Sequence, residues 1–463
     1  MSMVIKALAK MGMVIPSAPK PVKRPSLGRR LLYTGLVALA FMLLGSTPLY
    51  GIERAGTLPF SPIVSIVLAM AAGTLAQLGI GPIVTSSLIL QILVGAKILD
   101  LDLSDPEARK NFTAASKGLG LILAIVEAAG FVFSGLYWNY PAGVSLWIKL
   151  LVFAQLLWGA IIIVMLDEAV QKGWGLGSGV SLFILIGVAQ RFFSELLTPT
   201  AIQTSGLQTE GEIYGLIPYI VTALKDGTFD VYHTIIGRLA VGYPTLIGFI
   251  VSIVLIAILT YLNAAHINVP ITMSRYGGIK SRVPLQLLYV TNIPVLLTGI
   301  LISDIVLILT LLRNFLGVEL VESVRPYLSA PSLYSFIYNT MPSIVYTAVF
   351  LALCILFGIL WIEIAGLNPE AQADNLIKAG LDIPGMRRNP RILASYLSRY
   401  IYPLTVFSSI VVAVIALVGD ILGSYGTGTG LLLAVGIVYN YYQILAYERT
   451  LEMYPLLKRF IGE

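Results

Sequence analysis

The chain has 463 residues, of which 57% are hydrophobic and 12% charged, with a mean hydropathy of +0.87; a soluble domain carries roughly 25% charged residues. Such a composition describes a polytopic membrane protein whose core is a helix-bundle interior. The net charge of +6 would suit nucleic acid, but its placement speaks for the membrane: with the amino terminus inside, 23 Lys and Arg fall on cytoplasmic connections and 7 on external ones, the positive-inside bias.

In chain order, residues 1–29 hold an amphipathic stretch, MSMVIKALAKMGMVI, and a basic, proline-marked tract. The apolar run is too short for a cleavable signal, so a surface helix on the inner leaflet is expected. Ten spans are expected at 30–48, 80–99, 117–138, 146–166, 177–197, 243–262, 285–312, 333–361, 394–418 and 429–447. Both termini are then cytoplasmic. The organising stretch runs from Ser46 to Leu99 and reads as a crossing broken in two. Ser61 can cap and Pro62 can open a short helix, Ile63 to Ala72, ended by Gly73. That piece reaches about 16 Å, half of the ~30 Å hydrocarbon layer, whereas the second piece, from Ile80 through Pro82 to Leu99, is long enough to span. Backbone that leaves helical form at membrane depth must be buried in protein or line a watery cavity.

Ser104-Asp105-Pro106-Glu107 caps a helix leading into the third span. Residues 198–242 are expected to form an external amphipathic hairpin, and the large inner connections 263–284 and 362–393 are polar and basic at their tips. The expected fold is all-α, ten transmembrane helices in two pseudo-symmetric five-helix halves, 30–197 and 243–447, followed by a cytoplasmic tail, 448–463. An odd number of spans per half makes the halves an inverted repeat with a site at their interface.

The sequence offers little chemistry. The single Cys354 excludes an internal disulfide, and His233 and His266 lack ligands at metal spacing, so no metal or cofactor is expected. GWGLGSG at 173–179 imitates a phosphate loop, but it follows a membrane helix and reads as a tight turn. With no nucleophile–base pair at a common depth, an enzyme is disfavoured. Two carboxylates, Glu127 and Asp304, lie inside spans, either as functional groups or as hydrogen-bonded, water-exposed ones. A small-solute transporter shares the broken helix and is the main alternative, but the break carries no charge between Glu53 and Asp100 apart from Arg54 and Lys97 near its ends.

GIGPIVTSSLILQIL at 79–93, GSGVSLFILIGVAQ at 177–190, YVTNIPVLLTGI at 289–300, NPEAQADNLIKAG at 368–380, IPGMRRNP at 383–390 and YGTGTGLLLAVGIVYNYY at 425–442 together resemble the SecY family, the central subunits of the protein-translocation channel, in their archaeal form. The resemblance implies a channel for unfolded polypeptides with a lateral gate into lipid. Its pore ring would be Ile80, Val84, Val180, Ile184, Leu296 and Leu433; valine and leucine stand at four of these positions where relatives favour isoleucine. The plug would run from Pro62 through Ile63, Val64, Ile66, Val67, Leu68 and Met70 to Gly73. Thr85, Glu127 and Asp304 would form a polar cluster in the gate, with aspartate where the family pattern has asparagine. Arg275, Lys280, Arg282, Arg387 and Arg388 would face the ribosome or another cytosolic partner, with ribosomal RNA as a contact. A SecE-like clamp, a small third subunit (Sec beta or SecG-like), signal sequences, nascent polypeptides and membrane lipids complete the implied partners, with the plasma membrane as location.

Overall fold

The computed structural model describes residues 3–13, 16–23, 25–53, 62–95, 98–99, 106–138, 143–200, 212–273, 279–378 and 390–453. The first part contains α1 (Met3–Gly12), α2 (Leu27–Ser46), α3 (Pro62–Val67), α4 (Gly81–Gly95), α5 (Pro106–Phe133), α6 (Leu146–Gln171) and α7 (Gly179–Leu197). A connection with α8 (Leu216–Asp226) and α9 (Val231–Ile235) leads to α10 (Leu246–Ala264), then to the strands β1 (His266–Met273) and β2 (Ile279–Gln286). The rest comprises α11 (Ile293–Leu311), α12 (Arg313–Leu316), α13 (Val318–Val324), α14 (Leu333–Tyr338), α15 (Thr340–Ile364), α16 (Pro369–Lys378), α17 (Pro390–Ile421) and α18 (Gly428–Met453).

Among the described residues nine helices are long and apolar enough to cross a membrane. The broken crossing supplies the tenth apolar helix, α4, which has 15 residues and reaches about 22 Å. It is therefore shorter than the span expected at 80–99: it starts only after the non-helical segment 68–80 has entered the bundle, and it ends at Gly95, where a Cβ would meet Ile364 at 2.9 Å. The third span is the inner part of one continuous helix, α5, and the eighth is divided at Asn339 into α14 and α15.

The connection 263–284 corrects the all-α expectation locally. β1 and β2 pair antiparallel, with Pro270 opposite Arg282 and Asn268 opposite Pro284. The sequence signal was present: two alternating runs, HINVPITM and IKSRVPLQ, separated by a stretch containing Gly277-Gly278, a hairpin pattern. For the same reason the seventh span opens at Ile293, since Leu285 and Gln286 belong to β2.

The amino-terminal helix turns its apolar face to protein. Ile5 and Ala9 are buried with Leu90 and Ala115. Gly12 and Gly118 let α1 and α5 cross at backbone distance, because a Cβ on Gly118 would run into the Leu8 carbonyl and one on Gly12 into that of Ala114. The following stretch is fastened by Glu168, whose Oε1 accepts from Ser17 Oγ at 3.0 Å and pairs with Lys117 at 2.5 Å and Lys172 at 2.8 Å. Lys172 also donates to the Ala18 carbonyl. Trp174 Nε1 donates to Pro19 O at 2.6 Å.

The Glu168 node yields a prediction. Glu168→Ala leaves the partly exposed Lys117 and Lys172 ammonium groups without their shared counter-charge, and charged hydrogen bonds contribute ~2 kcal/mol each. The variant should unfold at a lower temperature in detergent and expose residues 16–23 to limited proteolysis, while Lys225→Ala should do neither. Unchanged proteolysis in Glu168→Ala would show that the stretch is held by other contacts.

Candidate functional site

The site is the place where the broken crossing meets both halves. Pro62 fits the first turn of α3, and the helix ends at Val67, earlier than the expected Ala72, because Ala69 takes a left-handed φ of 48°. Met70 N–H then donates back to Ser65 O at 2.8 Å, and Ile80 N–H to Leu68 O at 2.8 Å. Gly79 is required there, with φ of 54° and a Cβ position that would strike the Leu68 carbonyl.

Gly73 belongs to a fixed frame. Its carbonyl accepts from Leu49 N at 2.9 Å and its N–H donates to the buried Gln77 Oε1 at 2.5 Å. Leu75 N–H donates to Thr47 O at 3.0 Å, and α6 presses Gly159 against the Leu75 carbonyl. Among the described contacts, the first part of the segment, through Met70, is held to its neighbours mainly by apolar packing. A Cβ on Gly299 of α11 would lie 3.2 Å from Val67 Cγ2, and one on Gly430 of α18 3.4 Å from Ile66 Cγ2. Pro62, Ile63 and Val64 lie in α3, but their side chains are outside the described residues.

All six expected ring residues join one apolar cluster with Ile66, Val67, Leu68 and Met70. Ile80, Ile184 and Leu433 are buried, and Val84, Val180 and Leu296 pack partly buried against them. They come from the starting turns of α4, α7, α11 and α18, two helices from each half. The sequence reading missed Asn292, whose Nδ2 donates to the Leu433 carbonyl at 3.5 Å and ties the start of α11 to α18.

The two halves meet along two seams of different chemistry. On one, α4 and α5 face α11 and α15: Thr85 Oγ1 donates to Asp304 Oδ2 at 2.8 Å, Glu127 lies beside Gly81, and Gly130 packs on Leu311. On the other, α7 faces α18. There Glu195, paired with Arg191 at 2.8 Å, accepts Gly426 N–H at 2.8 Å. Arg30 pairs with Glu448 at 2.6 Å and donates to Gly175 O at 3.1 Å. Tyr441 OH donates to Ser178 O at 3.3 Å.

Two other carboxylates absent from the sequence reading order helix starts: Asp167 accepts Val180 N–H at 3.0 Å, and Asp420 accepts Gly428 N–H at 2.7 Å and Thr429 Oγ1–H at 2.9 Å. The 173–179 loop is the expected turn, with Gly173 and Gly177 at positive φ. In the connection before α10, Arg238 is fully buried, paired with Glu212 at 3.1 Å and set 4.0 Å over the Tyr219 ring. Burial pulls its guanidinium below the usual value, and Glu212 pushes it back up. Lys280 and Arg282 lie on β2 opposite Thr272 and Pro270; their side chains, and all of Arg275, Arg387 and Arg388, fall outside the described residues.

Residues 74–442 match the SecY family model. The protein translocase subunit SecY of Aeropyrum pernix is 46% identical, covering 99% of both chains. A solved SecY translocation channel, whose plug domain stabilises the closed state and maintains a membrane seal, superposes with a TM-score of 0.76 at 32% identity, covering 98% of this chain and 99% of the other. Sec61 from the canine ribosome–channel complex of the endoplasmic reticulum gives 0.75 at 32% identity, with the same coverage. The ten-helix, inverted-repeat layout fits these channels, and the small-solute transporter reading finds no support among them. With the family model matching most of its length and a full-length relative at 46% identity, the chain belongs to the SecY family of protein-conducting channels.

Proposed function

We propose that the cluster of Ile80, Val84, Val180, Ile184, Leu296 and Leu433 is the constriction of this protein-conducting channel, closed by the segment 62–70 seated against it. The observation that carries the reading is that aliphatic side chains from four helices of both halves pack with Ile66, Val67 and Leu68 in one apolar cluster. An aliphatic ring dewets against ions yet deforms around a polypeptide of any sequence, whereas a charged filter would grip particular side chains. The plug expected as 62–73 is shortened here: Gly73 is hydrogen-bonded into the frame, so the moving part ends near Met70.

The α4–α5/α11–α15 seam is the lateral gate, with Thr85, Glu127 and Asp304 at its polar centre, and the α7/α18 side is the hinge. Domain limits follow accordingly: a five-span half 30–197, an external connection 198–242, and a second half 243–447 with cytosolic loops 263–284 and 362–393. On this reading the protein lies in the plasma membrane with both termini in the cytoplasm; the positive-inside distribution supports that orientation. Arg275, Lys280, Arg282, Arg387 and Arg388 face a cytosolic partner; support comes from the 32%-identical Sec61 channel seen with a ribosome, and arginine suits the phosphates of ribosomal RNA. SecE-like and small third subunits, signal sequences and lipid are the remaining partners; the channel itself supplies no catalysis.

Two outcomes test this reading. Replacing Ile80, Ile184 and Leu433 together with serine should wet the constriction and raise resting ion conductance in planar bilayers at least several-fold; an unchanged conductance in folded protein would remove the ring assignment. Arg387→Glu should lower precursor translocation into vesicles more than tenfold while leaving ten-span topology intact. Normal rates in that variant would assign the arginine to topology alone.

A further inference from the structure

We propose that Asp167 and Asp420 are positioning residues of the seal: each comes from the span before a ring-bearing helix, pins the first turn of that helix, and so fixes the height at which Val180, Ile184 and Leu433 stand in the constriction. The proposal rests on the ring reading above. Its basis is a geometry that occurs twice. α7 and α18 both start on a buried glycine, Gly179 and Gly428, and the first N–H groups of a helix have no partner inside it. In a membrane bundle those groups must be met by protein.

In both places the preceding span supplies the partner. Ser178 occupies the N-cap of α7, yet its side chain makes no cap bond. Asp167, near the end of α6, takes the Val180 N–H on Oδ1 at 3.0 Å, while Gln171 Nε2 holds Oδ2 at 2.8 Å. Asp420, near the end of α17, does the same for α18. Its Oδ1 accepts Gly428 N–H at 2.7 Å and Thr429 N–H at 3.4 Å, and its Oδ2 accepts Thr429 Oγ1–H at 2.9 Å. A carboxylate at a helix start makes charge-assisted bonds and meets the positive end of the helix dipole.

The glycines bring backbone onto backbone, so these bonds set an axial register. A Cβ on Gly179 would stand 2.5 Å from Asp167 Cα, one on Gly428 2.2 Å from the Ala416 carbonyl oxygen, and one on Gly419 2.5 Å from Gly428 Cα. No side chain fits between a ring helix and the span it leans on. Val180 is itself the donor to Asp167, Ile184 follows about 6 Å further along α7, and Leu433 stands about 7.5 Å beyond Gly428 along α18. A shift of either helix start therefore carries its ring residues with it.

α6 and α7 are the fourth and fifth crossings of one half, and α17 and α18 are those of the other; in an inverted repeat the two starts approach the constriction from opposite faces. The ring is thus pinned from both sides, while Glu195 and Gly426 join α7 to the turn before α18. The gate-side ring helices start differently. α11 opens at Asn292 without a side-chain cap bond, and Ile80, just before α4, donates to Leu68 O in the turn after α3. Val180, Ile184 and Leu433 form the fixed part of the ring, against which the gate side and the plug close.

The test measures resting ion conductance of the full-length chain in planar bilayers, beside its thermal unfolding in detergent. Asp167→Ala and Asp420→Ala should each raise the conductance several-fold. Asp167→Asn and Asp420→Asn should restore the parent value, because the amide oxygen still accepts the helix N–H and the amide N–H2 can donate to Gln171 Oε1 or Thr429 Oγ1. Thr429→Val, nearly isosteric, removes one bond and should give a smaller rise; it decides the matter if an alanine variant fails to fold. A lower unfolding temperature with parent conductance in the folded alanine variants, or asparagine variants as leaky as the alanine ones, would overturn the positioning role. The triple serine variant of Ile80, Ile184 and Leu433 separates the two readings: if it leaks and neither the alanine variants nor Thr429→Val does, the positioning role falls and the ring stands. If the triple variant does not leak, the ring reading falls and the proposal with it.

Discussion

Between Val67 and Gly81 the backbone leaves helical form inside a bundle, and every peptide group released from a helix ladder there must find another partner, because hydrocarbon offers none. The partners are specific: Leu68 O with Ile80 N, Gly73 O with Leu49 N, Thr47 O with Leu75 N, and Ala76 O with Ala71 N. Gln77 completes the set by taking the Gly73 N–H. These bonds fix the root of the broken crossing, and among the described contacts the segment before it rests on the proposed constriction mainly by apolar packing. Apolar contact is non-directional and can be remade, so the seat and the frame have different tasks: one to part, the other to hold.

The same division appears between the two seams. The α7/α18 side is joined by charge-assisted bonds, Glu195 to Gly426 and Arg30 to Glu448, which are stronger and more geometrically demanding than neutral contacts. The opposite side is apolar packing around Thr85 and Asp304. A bundle joined this way opens on the second side when its halves separate. On the proposed reading, lateral release of apolar segments and axial passage of polar ones follow from one motion, which moves the ring residues of α4 away from those of α11 about the α7/α18 side.

Much of this was legible in the sequence because it depends on local signals. Pro62, Gly79 and Pro82 mark the break, uninterrupted apolar runs mark the other crossings, and the bias of lysine and arginine sets orientation. What was not legible depends on partners distant in the chain or on backbone conformation. The early end of α3 follows from Ala69 adopting a left-handed φ, which nothing in an alanine announces. Nothing local marks Glu168, Glu195 or Asp420 before folding brings Ser17, Gly426 and Thr429 to them; Arg30 meets Glu448 across 418 positions. The hairpin 266–286 was the exception: its alternation and glycine pair were present, and its polar, basic character masked them.

The central claim is that α3 and its turn leave an apolar seat whose frame stays in place. A cross-link between Ile66→Cys and Gly430→Cys tests it most directly, since a Cβ on Gly430 falls 3.4 Å from Ile66 Cγ2, the position next to the one a cysteine Sγ would take. In reconstituted vesicles the oxidised protein should protect no precursor from added protease, and reduction should restore translocation to the level of the uncross-linked channel. Translocation at the normal rate with the cross-link intact would contradict the account.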